Sequence, residues 1–406
     1  MSLLALARRN TTPAAAYQQI ATECGVDTGA SAPLPGYTAR TIKRRHDIRA
    51  PATDLRVALN GVNLQGPALN PVTTRVSVET AGGTIYPVTF SGAPSVTVSP
   101  GAGVISDPVD ITLADGDVLF TRLYQEVGVG QQLPTSSRFY LTTSEGEGLQ
   151  WGTDLTAGGS IPLGNATGPT VLALLGTPPA SRTTAFALIG DSITAATGDD
   201  WMATPGHSGF AVRAMNAAGL PYISYAVGGD RASLMNNPAR QAYWWTGIEG
   251  CDRFVTAYGI NDLAGSATLA QLQSNSIDLW SALRARGLTG VQGTTTPWSS
   301  STDSWATVGN QTPALPSEAN RVAWNTWLRD GAPLTVGLAA VASGGSGIRA
   351  GETGHPLLDV VDVAAAVESS LNSGRWMVGA TDEGLHPNAT GHVLMAAPLT
   401  AWLDTL

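Results

Sequence analysis

The pattern of apolar and polar positions changes once along the chain. Between residues 46 and 180, short runs alternate apolar with polar side chains, at 55–59, 74–78, 86–90, 95–98, 109–113 and 118–124. Gly, Pro, Asp and Asn separate these runs at intervals of roughly ten residues, the spacing of an all-β sandwich or jelly roll. A period of two sends one set of side chains to a core and the other to water. After Pro178-Pro179, apolar runs alternate with helical patterns. Strands are expected at 185–189, 222–227, 254–258, 290–294 and 358–361. Helices are expected at 209–218, 232–246, 269–286, 317–329 and 390–403. That alternation predicts an α/β unit, a parallel sheet with helices on both faces. Right-handed crossovers bring the strand C-termini to one edge, where active sites form.

Ahead of both regions, residues 14–22 show a short helical pattern between Pro13 and a Gly-containing stretch, too small to fold alone. The organisation expected is an N-terminal arm (1–45), a β-sandwich or jelly-roll accessory domain (46–180) and a catalytic α/β domain (181–406). A length of 406 residues suits more than one domain. The run Arg40-Thr41-Ile42-Lys43-Arg44-Arg45-His46 is expected to be a solvated, salt-bridged entry to the β-region.

Composition narrows the function. The net charge of −9 argues against a nucleic-acid binder. The two cysteines, Cys24 and Cys251, are far apart and no CxxC or Cys/His cluster occurs, so no metal site is expected. The opening apolar run is short and is followed by Arg8-Arg9, the wrong order for a secretory signal. No apolar stretch approaches the length of a membrane span, so a soluble protein is expected.

Four short motifs carry the chemistry. Gly190-Asp191-Ser192 follows an apolar strand, which exposes Ser192 to the crevice as a nucleophile. Gly190 permits the tight turn and Asp191 can hold it by hydrogen bonding to nearby backbone. By itself the tripeptide is also an ordinary turn. Gly229, in Gly228-Gly229-Asp230, follows the second strand and lets a ligand approach its N–H; the bland alternative is a plain βα turn. Asn261 follows the third strand, and its amide can donate to a developing oxyanion without carrying charge; an Asx-turn or helix cap is the structural alternative. Asp262 reads as a brace for that loop. His386 lies in Asp382-Glu383-Gly384-Leu385-His386-Pro387-Asn388, where Pro387 biases it to an extended backbone. A nearby carboxylate can hold its tautomer. His46, His207, His355 and His392 lack such a setting and are read as structural. No G-x-S-x-G elbow occurs, which argues against the α/β-hydrolase fold.

Together these motifs, over residues 184–406, resemble the SGNH hydrolases, also called the GDSL esterase family. The resemblance implies a flavodoxin-like three-layer domain and no cofactor. It also implies Ser192 as nucleophile, His386 as base, and Ser192, Gly229 and Asn261 as the oxyanion hole. The sequence departs from the family at the stretch before Gly229, which lacks the usual Asn. It departs again at the acid: the family places Asp three residues before the His, where this chain has Glu383, and Asp382 lies four before. Register favours Glu383 and residue type favours Asp382.

The expected reaction is acyl transfer through Ser192, with His386 neutral in its working form, so activity should favour slightly alkaline pH. Trp201 and Trp298 are candidate substrate contacts, since aromatic faces stack on sugars as well as line acyl pockets. Trp244 and Trp245 read as core. The expected substrates are small esters, first of all short acyl (acetyl) esters of carbohydrates. A broad-range lipase or aryl-esterase is the alternative. A different class of function is an adhesin-like or virion-associated binding module with a vestigial hydrolase domain.

Overall fold

The computed structural model describes residues 17–63, 66–136, 140–164, 166–179, 181–200 and 208–406. Its centre is a six-stranded parallel sheet. The strands are β1 (Cys24–Gly25), β2 (Phe186–Ile189), β3 (Tyr222–Ser224), β4 (Arg253–Thr256), β5 (Thr289–Gly293) and β6 (Leu357–Val361), in the spatial order β1-β3-β2-β4-β5-β6. From β2 onward this is the flavodoxin-like order, whose crevice opens beside the first strand at its C-terminal end. Every residue of β2 is fully buried, as a strand covered on both faces must be.

The helices are α1 (Phe210–Ala217), α2 (Ala232–Met235), α3 (Pro238–Trp244), α4 (Ile260–Ala264), α5 (Leu269–Ala285), α6 (Glu318–Arg329) and α7 (Ala389–Leu403). α1 packs on α7, while α5 packs on α2 and α6. Right-handed crossovers put these two groups on opposite faces of the sheet. α5 meets α6 through the stacked rings of Trp280, Trp324 and Trp327, whose centroids lie 5.2–6.4 Å apart. Among the described residues no helix is long and apolar enough to cross a membrane.

The region 46–180 forms antiparallel sheets. One runs Gln18–Gln19, Ala173–Thr177, Thr53–Asn60, Gly103–Ile105. The other runs Val96–Val98, Val72–Thr80, Val118–Glu126, Ala39–Asp47, Gly148–Trp151, with Ile85–Pro87 also on Val72–Thr80. Val57 and Leu174 from the first sheet share one apolar cluster with Val76, Leu119 and Leu123 from the second.

Several expectations need correction. Over its described part, the segment expected as a helix at 14–22 is extended. Gln18 and Gln19 pair with Gly176 and Leu175, because residues 18–21 are buried on all sides and a strand satisfies their backbone there. The described part of the N-terminal arm, from residue 17 on, packs on the rest of the molecule by supplying strands to both antiparallel sheets, and β1 to the parallel one. The basic run is salt-bridged, as expected, but mostly buried, with Lys43 and Arg45 keeping side-chain exposures of 18% and 33%. It is the strand Ala39–Asp47, paired on both sides, with Arg44 only 1% exposed and facing Glu23 and Glu147. Residues 109–113 alternate in burial as expected, and Val109, Ile111 and Leu113 join the apolar cluster between the sheets, yet their backbone pairs only at two isolated bridges. The helix expected at 232–246 breaks into α2 and α3. Pro238 starts α3, and the Asn237 side chain caps it by accepting the Ala239 N–H at 2.9 Å.

Candidate active site

The motif residues converge at the C-terminal edge of the sheet. Past β2, Gly190 has no room for a side chain: a Cβ there would lie 2.2 Å from Thr194 Oγ1. Asp191 is fully buried and accepts the Ile193 N–H at 2.9 Å, which shapes the turn that carries Ser192. Burial, with Asp230 and Asp262 nearby, pushes the Asp191 carboxyl up to about 7.

Ser192 Oγ lies 2.9 Å from His386 Nε2, across 194 residues of sequence. On the other side of the ring, His386 Nδ1 lies 2.7 Å from Glu383 Oε1, and the His386 backbone N–H donates to that same oxygen at 2.6 Å. A carboxylate only accepts, so Nδ1 carries the ring proton and Nε2 is left to accept the Ser192 hydroxyl. Glu383 is open to water (side chain 56% exposed), whereas His386 is mostly covered at 18%. Asp382, the other candidate acid, points elsewhere. Its Oδ1 accepts Asn388 Nδ2 at 2.8 Å, and Asn388 Oδ1 in turn accepts the Gly391 N–H to cap α7. Asp382 thus braces a helix entry, and Glu383 holds the imidazole.

The turn after β3 lies against the nucleophile, since a Cβ on Gly228 would come within 4.0 Å of Ser192 Cβ. Gly229 adopts φ 73°, a left-handed conformation that suits glycine. The next residue anchors it. Asp230 is fully buried and holds Arg240 through two bonds (2.7 and 2.9 Å), the Tyr258 hydroxyl at 2.9 Å and the Arg231 N–H at 2.9 Å. Asn261, in the short α4, donates from Nδ2 to the Asp230 carbonyl at 3.1 Å. An amide nitrogen has two hydrogens, so one fixes the side chain and the other is left for a ligand. Asp262 caps α2, accepting the N–H groups of Ala232 (3.0 Å) and Ser233 (3.3 Å).

The loop bearing His386 is gripped from outside by the hairpin Ser299–Ser301/Gln311–Pro313. The Gly384 carbonyl accepts the Ser299 N–H at 2.9 Å and Trp376 Nε1 at 2.8 Å. A Cβ on Gly384 would lie 2.0 Å from Ser299 O and 2.5 Å from the Trp305 ring, so only glycine fits.

The aromatic expectations fare unevenly. Trp244 and Trp245 are core. Trp298 is half-buried and packs against the α/β core. Trp201 lies outside the described residues, as does His207. His46, His355 and His392 are buried, each hydrogen-bonded to protein groups. Sequence reasoning missed α4, Trp376, the grip of Trp305 on Gly384, and Thr381. None carries a local motif, although Gly384 signalled a crowded backbone. Among the described residues no three His, Cys, Asp or Glu side chains gather to hold a metal ion.

No family model and no curated protein matches the chain. It is similar to several solved structures. One is a family two carbohydrate esterase from Clostridium thermocellum, an active-site mutant, at 15% identity and TM-score 0.35 over 94% of this chain and 97% of that one. Another is a family two carbohydrate esterase from Cellvibrio japonicus, at 12% identity and TM-score 0.36 over 96% and 97%. A third is a GDSL-like lipase from Bacteroides thetaiotaomicron, at 12% identity and TM-score 0.35 over 55% and 88%. Likenesses this low carry no weight for what this chain does.

Proposed function

We propose that the chain is a serine esterase of the SGNH type, hydrolysing carboxylic esters through an acyl-enzyme. The observation that supports this is the unbroken relay from Ser192 Oγ to His386 at 2.9 Å and from His386 to Glu383 at 2.7 Å. His386 Nε2 takes the hydroxyl proton as Ser192 Oγ attacks the ester carbonyl. Glu383 then faces an imidazolium, which it stabilises. The carbonyl oxygen becomes an oxyanion, received by the N–H groups of Ser192 and Gly229 and the free amide hydrogen of Asn261. The tetrahedral adduct collapses, and the imidazolium returns its proton to the departing alcohol. Water, activated by the same histidine, then releases the acid and restores Ser192.

Within that activity, short acyl esters of carbohydrates are the proposed substrates, with Trp298 as a sugar-facing surface. The chemistry is assigned to 181–406 and an accessory, β-sandwich role to 46–180. The test is turnover of p-nitrophenyl acetate by the unsubstituted protein and by Ser192→Ala. The substitution should lower kcat by at least about 10³-fold. Equal turnover would leave a binding module in place of an esterase. Faster hydrolysis of the octanoate than the acetate ester would overturn the short-acyl assignment.

A further inference from the structure

We propose that Thr381 is the positioning residue of the relay: its one hydroxyl sets where Glu383 and His386 stand relative to each other. The inference rests on the esterase reading. Thr381 is 3% exposed and opens the loop that carries both residues. Its Oγ1 donates to the His386 carbonyl at 2.7 Å. The same oxygen accepts the Gly384 N–H at 2.9 Å and, at 3.4 Å, the Glu383 N–H. A hydroxyl has one hydrogen and two lone pairs, so every bonding position is used, and all three partners lie within this loop. The loop is also closed at its base, where Thr381 bridges Pro387.

The relay has a specific need for such a clasp. Glu383 is more than half exposed, so water competes for its carboxylate. A glutamate has one more rotatable bond than the aspartate that the register would suit, so its carboxylate reaches more positions. One oxygen, Glu383 Oε1, must nonetheless meet both the backbone N–H and Nδ1 of His386. That requires the backbones of residues 383 and 386 to be held at a set separation. Thr381 bonds to both, while the Ser299 and Trp305 contacts hold Gly384 from the far side. Thr381 touches none of the reacting atoms, so its effect passes through Glu383 and His386.

The experiment compares Thr381→Val, which keeps the shape and loses the hydroxyl, with Thr381→Ser, which keeps the hydroxyl and loses the methyl. p-Nitrophenyl acetate is the probe. Thr381→Val should lower kcat by about 10- to 100-fold with KM little changed, the cost of a small misplacement. Thr381→Ser should restore most of the rate. A role in packing alone predicts the reverse ranking, so a slow Thr381→Ser beside a fast Thr381→Val overturns the proposal. Should Thr381→Val fail to fold, Thr381→Ser still decides, because loss of rate in a variant that keeps the hydroxyl is equally contrary.

The decisive readout is coupling to the acid. With the hydroxyl present, Glu383→Gln should cost a large factor. In the Thr381→Val background it should cost less than about three-fold, because the relay is already loosened. Fully independent effects would refute the inference. If Ser192→Ala turns over as fast as the unsubstituted protein, the esterase reading fails and this inference fails with it. If Ser192→Ala is inactive and Thr381→Val is unimpaired, only the role of Thr381 falls.

Discussion

Glu383→Gln removes a charge from the relay and leaves its shape. Glutamine Oε1 can accept the same two hydrogens, from the His386 backbone and Nδ1, that Glu383 Oε1 accepts at 2.6 and 2.7 Å. What disappears is the attraction between carboxylate and imidazolium once Ser192 has given up its proton. At a charge separation of about 4 Å that attraction is about 1 kcal/mol in water and about 4 kcal/mol at an effective dielectric of 20. Glu383 is 56% exposed and His386 18%, so the pair lies between these limits. A loss of about 2 kcal/mol corresponds to about 30-fold in kcat. A buried triad aspartate replaced by asparagine, by contrast, loses about 10⁴-fold. The assay is the rate with saturating p-nitrophenyl acetate at mildly alkaline pH, with Asp382→Asn beside it as control. Asp382→Asn should leave the rate unchanged, since Asp382 holds Asn388 at the start of α7. An unchanged rate for Glu383→Gln would show a Ser–His pair working without its acid. A loss near 10⁴-fold would show that water is expelled from Glu383 during turnover. Either result refutes the reasoning from exposure.

Two further outcomes follow from the same geometry. Asn261→Ala should lower kcat by about 10²- to 10³-fold, as the loss of one oxyanion donor does elsewhere, with little change in KM; an unaffected kcat would remove Asn261 from the site. Burial pushes His46 and His392 down to about 4, whereas an unfolded histidine titrates near 6.5. Between those values the unfolded chain binds protons that the folded one refuses, so these groups cost stability as pH falls through the window, and below about 4 the cost levels off. His392→Gln removes one such group. The drop in unfolding free energy from pH 7 to pH 4.5, measured with urea, should be smaller in the variant than in its parent, and an equal drop would contradict it. The comparison must be variant against parent, because Asp27 and Asp191, held up at about 7, act in the opposite direction.

Much of the α/β region was legible in the chain. Strands buried on both faces are apolar throughout, and 185–189 differs from β2 by a single residue. Helix α5 was bounded by its own ends, with Thr268 and Gln271 forming a capping box. Ser192, Gly229 and Asn261 could be placed because each follows a strand, and parallel topology sends strand ends to one edge, whereas His386 stood out by its own loop, just ahead of the last helix. The breaks at Asn237 and Pro238 were also written in the sequence but outweighed by the surrounding helical pattern. The basic run misled because charge was taken as a sign of exposure. Arg44 is buried with Glu23 and Glu147, from distant segments, beside it and the Gly168 carbonyl accepting from its guanidinium.

The sequence by itself determined the residue types at the candidate site, their order and the kind of element each one borders. Period and capping are local properties, and a few neighbouring residues are enough to set them. Tertiary structure alone decided which of Glu383 and Asp382 meets the His386 ring. The two are adjacent in the chain, and the choice turns on which carboxylate the folded loop aims at a ring that is itself held by Ser192, 194 residues away. It also decided that a two-residue segment at Cys24–Gly25 would edge the parallel sheet, and that one threonine hydroxyl would close the loop. Such contacts depend on where separate segments meet once the core has packed, and no short stretch of sequence carries that information.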